Sequence, residues 1–213
     1  MSALIWYADN DRAIVATDTL CMTRDGVPVG FMTKAHYLPA LRSVVAYTGC
    51  GGLGCAWAAY ANSELRPRGL EHLSERAPAL LNEFFGKMSP EWQEISTTIY
   101  HIGFSEVTGK AVVHAFRSSR KFAKEELETG VMYMKPESDV DLSQQSDASL
   151  AEKLKFIMDA QRAEQALVPQ EDRVNIGGEL IVLEMTREAC TQYVGAQFSD
   201  FEEQKRQSDV QRA

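Results

Sequence analysis

Two apolar runs, residues 3–7 and 13–17, open the chain, and the turn formers Asp9, Asn10 and Asp11 stand between them. Short runs rich in apolar residues and bounded by Asp and Asn predict a β-hairpin at the very start of the sequence. Chain ends usually fray, so one paired in a strand can present a functional group as firmly as a side chain does.

The pattern continues in strands. Residues 24–30 are turn-rich, 31–37 form a short strand, and 41–48 form another, dense in β-branched and aromatic positions. A glycine-rich loop, 48–54, leads to the alanine-rich segment 55–61, which reads as helix. After Pro67 and Gly69 a second helix is predicted over 70–87, with Leu73, Ala77, Leu80, Leu81, Phe84 and Phe85 at helical spacing. The texture then returns to strand over 95–104 and 110–116, joined by a turn around Thr108 and Gly109, with a shorter strand over 129–134.

Residues 135–147 are polar and acidic and read as an exposed loop. Ser149 or Asp147 caps the following helix, whose apolar face is Leu150, Leu154, Ile157, Met158 and Leu167, and Pro169 ends it. Strands over 179–185 and 191–198 close the pattern. The periodicities predict one α+β domain over 1–198 and a charged tail over 199–213 that is either helical or disordered.

Composition narrows the function. A length of 213 residues suits one domain with a substantial core. A net charge of −8 argues against a nucleic-acid surface, which needs clustered Lys and Arg. No apolar run approaches the roughly 20 residues of a membrane span, and the first residues lack the basic stretch and cleavage site of a signal peptide, so a cytoplasmic protein is expected. Cys21, Cys50, Cys55 and Cys190 are few and scattered, as in a reducing compartment. His36, His72, His101 and His114 have no partners at metal-ligand spacing, so no metal site is expected. Nothing resembles G-x-S-x-G either.

Gly49, Gly51 and Gly54 spell G-x-G-x-x-G. The dinucleotide fingerprint needs a βαβ unit, and here antiparallel strands precede the loop and more helix follows it. The loop is better suited to an exposed backbone amide at a helix N-terminus, a donor for a developing oxyanion.

Ser2 follows Met1, and a small second residue is the usual condition for removing the initiator methionine. A terminal serine would hold a hydroxyl nucleophile and, in its α-amine (pKa about 7.7–8.0), a base. A lysine beside that amine keeps it neutral and stabilises negative charge on the serine oxygen, and an aspartate holds the lysine in place. Asp18 and Lys34 are the candidates. Taken singly, Ser2 is only a small second residue, Asp18 a strand-end cap and Lys34 a solvated charge.

Taken together, these positions resemble the start of proteasome β-subunits and HslV-like peptidases, of the N-terminal-nucleophile (Ntn) hydrolase superfamily. In that family a terminal threonine, serine or cysteine is followed after sixteen positions by the aspartate of an A-x-D-[ST] segment and after thirty-two by a lysine. Ser2, Asp18 within Ala16-Thr17-Asp18-Thr19, and Lys34 keep those separations without a gap. Residues 44–48 and the glycines from Gly49 match the family's strand, glycine loop and helix with one residue inserted. Thr19 either bonds locally to Asp18 or is a turn threonine.

The resemblance implies a four-layer αββα sandwich with Ser2, Asp18, Lys34 and the Gly49 amide, or that of Gly51, as the catalytic set. It further implies peptide or other amide substrates, no cofactor and a homo-oligomer, and it leaves room for an ATPase partner. An inert subunit serving assembly or binding is the alternative. The chain departs from the family in three places, one being the single helix predicted between Asp147 and Pro169 where the family usually has two. Thr129-Gly130-Val131-Met132-Tyr133 stands where a serine-glycine-serine is usual, and Arg173-Val174-Asn175-Ile176-Gly177-Gly178 keeps only the glycines of the later motif, with Asp172 one position off from its aspartate.

Overall fold

The structure is a computed structural model that describes residues 2–23 and 25–212. The first strands are β1 (Leu4–Ala8), β2 (Ala13–Asp18), β3 (Leu20–Met22), β4 (Pro28–Phe31), β5 (Ala35–Leu38) and β6 (Ser43–Thr48). Helices α1 (Gly51–Ser63), α2 (Leu70–Gly86) and the short α3 (Pro90–Gln93) follow. Then come β7 (Thr98–Phe104), β8 (Ala111–Arg117), β9 (Lys124–Leu127) and β10 (Met132–Lys135). Helix α4 (Leu150–Gln165), strands β11 (Glu179–Met185) and β12 (Cys190–Gln197), and helix α5 (Phe201–Arg212) complete the chain. Among the described residues this is a mixed α+β fold with three sheets and five α-helices.

The opening hairpin forms as its pattern predicts. Asp9 Oδ1 accepts the amides of Asp11 and Arg12, both at 2.9 Å, which closes the turn and sets the register Leu4↔Thr17 to Ala8↔Ala13. That hairpin is central to a five-stranded antiparallel sheet, ordered β10-β1-β2-β11-β12, while β5-β6-β7-β8-β9 form the other large sheet and β3-β4 a small one.

Both faces of β1 are buried, against different partners. Leu4, Trp6 and Ala8 share a cluster with Val44, Ala46, Tyr100, Ile102 and Val113 of the other large sheet. Ala3 and Ile5 share one with Leu154, Ile157 and Met158 of α4. This follows from the two-residue period of a strand, and burial on both sides explains why the run is continuously apolar. On the far side of the second sheet, Val45, Tyr47, Ile99 and Phe116 pack with Leu53 and Trp57 of α1 and Leu73, Ala77 and Leu81 of α2. Each such large side chain contributes on the order of 1.5–3 kcal/mol by leaving water.

Several elements differ from the sequence expectation. The strand expected over 31–37 is broken into β4 and β5 by Met32, Thr33 and Lys34. Long-range bonds impose the break: the Met32 amide donates to Thr19 O at 2.8 Å, and Tyr47 gives its amide to Lys34 O at 3.1 Å and its hydroxyl to Thr33 O at 2.9 Å. The first helix begins at Gly51 rather than at residue 55, so most of the glycine loop is helical. Gly54 lies flat on the Tyr47 ring, where a Cβ would come within 2.1 Å of a ring carbon.

Strand β9 was not expected, since its sequence, Lys-Glu-Glu-Leu, is charged and half-exposed at an edge. Ser149 caps α4 in a reciprocal capping box with Glu152. The helix ends at Gln165, so Leu167 is not on its apolar face and is 88% exposed. The tail over 199–213 carries α5, which rests on β4 with Phe201 against Phe31, their centroids 5.0 Å apart, and with Gln204 Oε1 accepting the Gly178 amide at 2.9 Å.

Candidate active site

Asp18 is the last residue of β2 and is 0% exposed; Lys34, in the turn between β4 and β5, is 2% exposed. Lys34 Nζ lies 2.9 Å from Asp18 Oδ1 and donates to Leu20 O at 2.7 Å. Oδ1 also accepts the Ala3 amide at 3.0 Å, and Oδ2 the Gly177 amide at 3.3 Å. A buried carboxylate is tolerable only with such a set of donors around it. Ser2, 6% exposed, precedes the residue whose amide is bound to Asp18, so it is one peptide unit from the ion pair. Ser2, Asp18 and Lys34 are thus brought together. Met1, whose removal the terminal-nucleophile expectation requires, lies outside the described residues.

Gly49 sits between β6 and α1 with φ +95°, and a Cβ there would come within 2.2 Å of Ser96 O. Only glycine fits this bend. Gly51 is the first residue of α1 and faces Met32, two residues before Lys34; a Cβ on it would lie 3.2 Å from Met32 Sδ. Since Tyr47 N is bound to Lys34 O, both glycines stand beside the turn that carries the lysine.

Thr19 does not bond to Asp18. Its hydroxyl accepts the Glu179 amide at 2.8 Å and fills the space beside Gly178, tying the exit of β2 to the start of β11. The segment 129–133 does not approach Ser2 either: the Gly130 amide donates to Ala8 O at 2.7 Å, at the far end of β1. The residue opposite Leu4 is Lys135, a half-buried amine whose pKa is pushed down by burial and then by Arg117. Asp172 is exposed and does not replace a site carboxylate.

Sequence reasoning missed the backbone partners of the pair, Leu20 O and the Ala3 and Gly177 amides, which carry no residue-type signal. It also missed Thr17 and Thr48. Their hydroxyls are buried and without a partner among the described residues. By strand alternation they share faces with Val15 and Ala46, toward the space between the large sheets, next to Asp18 and Gly49 respectively.

Two histidines that look isolated in sequence meet in space. His101 and His114 are cross-strand partners on β7 and β8. Trp57 Nε1 donates to His101 Nε2 at 2.8 Å, and Ser74 Oγ lies 2.9 Å from His101 Nδ1 and 2.9 Å from His114 Nδ1. The Trp57 donor leaves the proton of neutral His101 on Nδ1, so Ser74 accepts it and donates to His114; His114 Nε2 faces Glu71 at 3.7 Å. Burial, and then His114, push the His101 pKa down to about 3. Ser74 is 0% exposed, so this Ser-His-Glu chain pins α2 to the sheet and is closed to a substrate.

Among the described residues no group of three or more His, Cys, Asp or Glu side chains is placed to hold a metal, and no helix is long and apolar enough to cross a membrane. No family model matches the chain, and no curated protein sequence matches it.

Proposed function

We propose that the chain is an N-terminal-serine amidohydrolase of the Ntn type, a peptidase related to proteasome β-subunits and HslV, built as a four-layer αββα sandwich. The observation that carries this reading is the buried Lys34–Asp18 pair, whose carboxylate also holds the Ala3 amide and so keeps Ser2 beside the lysine. The three apolar clusters, helix on sheet, sheet on sheet and sheet on helix, support the layered architecture.

With Met1 removed, the Ser2 hydroxyl attacks the amide carbonyl while the α-amine of the same residue takes its proton and passes it to the leaving amine. The Lys34 ammonium keeps the α-amine neutral by repulsion and steadies charge on the serine oxygen, and Asp18 orients Lys34. The Gly49 amide, or that of Gly51, receives the oxyanion. Water then releases the acyl group by the same proton route. This chemistry calls for no cofactor. The reading carries with it a cytoplasmic homo-oligomer and is compatible with an ATPase partner.

Intact-protein mass tests it. Protein purified from its own host should lack Met1 and take up one serine-reactive sulfonyl fluoride, mapped to Ser2, and Ser2→Ala should take up none. Retained Met1 turns the α-amine into an amide nitrogen that accepts no proton, so that result, or an adduct elsewhere, sinks the mechanism. The inert-subunit reading then replaces it. One observation favours that reading: segment 129–133, which already lacks the family's serine-glycine-serine, is remote from Ser2, and Asp172 is exposed and does not stand in for the lost carboxylate.

A further inference from the structure

Cys55, His36 and Tyr47 converge beside the turn that carries Lys34. Cys55 is in the second turn of α1, His36 is on β5, and Tyr47 is on β6. Cys55 Sγ lies 3.0 Å from Tyr47 Oη and 4.0 Å from His36 Nε2, at the outer edge of sulfur hydrogen bonding, and His36 Nε2 is 3.4 Å from Tyr47 Oη. The His36 and Tyr47 rings stack with centroids 5.8 Å apart.

The Tyr47 hydroxyl has one proton, and Thr33 O accepts it at 2.9 Å, so at rest the Cys55 thiol is the donor in the Cys55–Tyr47 contact. Once the thiol has lost its proton, the tyrosine hydroxyl can turn and donate to the thiolate instead.

The other cysteines lack these partners. Cys50 is buried. Burial pushes the thiols of Cys21 and Cys190 up in pKa, away from the reactive thiolate. Cys55, like Cys21 and Cys190, is partly exposed. Burial pushes the pKa of His36 down, so its imidazole is neutral near neutral pH.

We propose that Cys55 is a modification site, a reactive thiol with His36 as its base and Tyr47 as donor to its thiolate, which forms a mixed disulfide with a low-molecular-mass disulfide. His36 Nε2 takes the thiol proton, and the Cys55 thiolate attacks one sulfur of the reagent. The new S–S bond forms as the old one breaks, and the departing thiolate recovers the proton from His36. The inference does not use the Ser2 reaction and stands or falls apart from it.

The test uses the full-length folded protein and glutathione disulfide at neutral pH, with adducts mapped on peptides over time. The first adduct is expected on Cys55, forming roughly tenfold or more faster than on Cys190. His36→Asn should slow it by roughly tenfold or more, and Tyr47→Phe should slow it while keeping the ring. The wild-type map needs no variant, so a variant that fails to fold does not shield the proposal. A first adduct on Cys21, Cys50 or Cys190, or a His36→Asn rate within about twofold of wild type, overturns it.

Discussion

Replacing Lys34 with methionine keeps most of the side-chain volume and removes the charge. The ammonium is 2.9 Å from Asp18 Oδ1, where the gross attraction at an effective dielectric near 20 is about 6 kcal/mol, much of it offset by the desolvation of both groups on folding. What remains in the variant is a 0% exposed carboxylate facing two amides, one of them at 3.3 Å, and an unfilled acceptor at Leu20 O. Leaving one member of a buried pair uncompensated costs about 3–5 kcal/mol, so Lys34→Met should lose about that much stability. Asp18→Asn in the same chain removes the stranded charge, and the double variant should recover part of the loss. Guanidinium unfolding of wild type, both single variants and the double gives the coupling energy, provided the slopes agree. The proposed hydrolysis should be lost in every variant lacking Lys34, including the more stable double. A Lys34→Met protein within about 1 kcal/mol of wild type, or a double no more stable than that single, would show that the pair is not the buried anchor described above.

Two further outcomes are expected. Gly49→Ala places a Cβ 2.2 Å from Ser96 O at φ +95°, so it should destabilise by at least about 1–3 kcal/mol in denaturant titration, whereas Gly86→Ala, with nothing within 4 Å of its added Cβ, should not. Burial, and then His114, depress the folded-state pKa of His101 to about 3 from its ordinary value of 6.5, so folding favours its neutral form. The resulting stability is complete above the unfolded value and falls with pH between the two, by up to about tenfold in the folding equilibrium constant per pH unit. In thermal melts across that window, His101→Phe should have a flatter acid limb than wild type, and an equally steep limb would exclude His101 as its source.

The opening hairpin, the two successive helices and the last strand pair were legible in the sequence, because a turn such as Asp9-Asn10-Asp11 and the apolar periods are properties of a few neighbouring residues. The shared site of Ser2, Asp18 and Lys34 was expected only from the resemblance of their spacing to that of N-terminal-nucleophile hydrolases, not from local pattern. Tertiary structure alone turned Lys34 inward. The residues 31–37 are apolar enough for one strand, and bonds from Tyr47 and to Thr19 break it at the lysine. It alone chose Ala3 N, Gly177 N and Leu20 O as partners of the pair, since every residue type offers the same backbone groups. The misplacement of 129–133 has a related cause: which end of β1 that segment meets depends on a register between strands more than a hundred residues apart in sequence. His101 with Ser74 and His114, and Cys55 with His36 and Tyr47, are likewise assembled from separate elements, where local pattern holds no information about which side chains will meet.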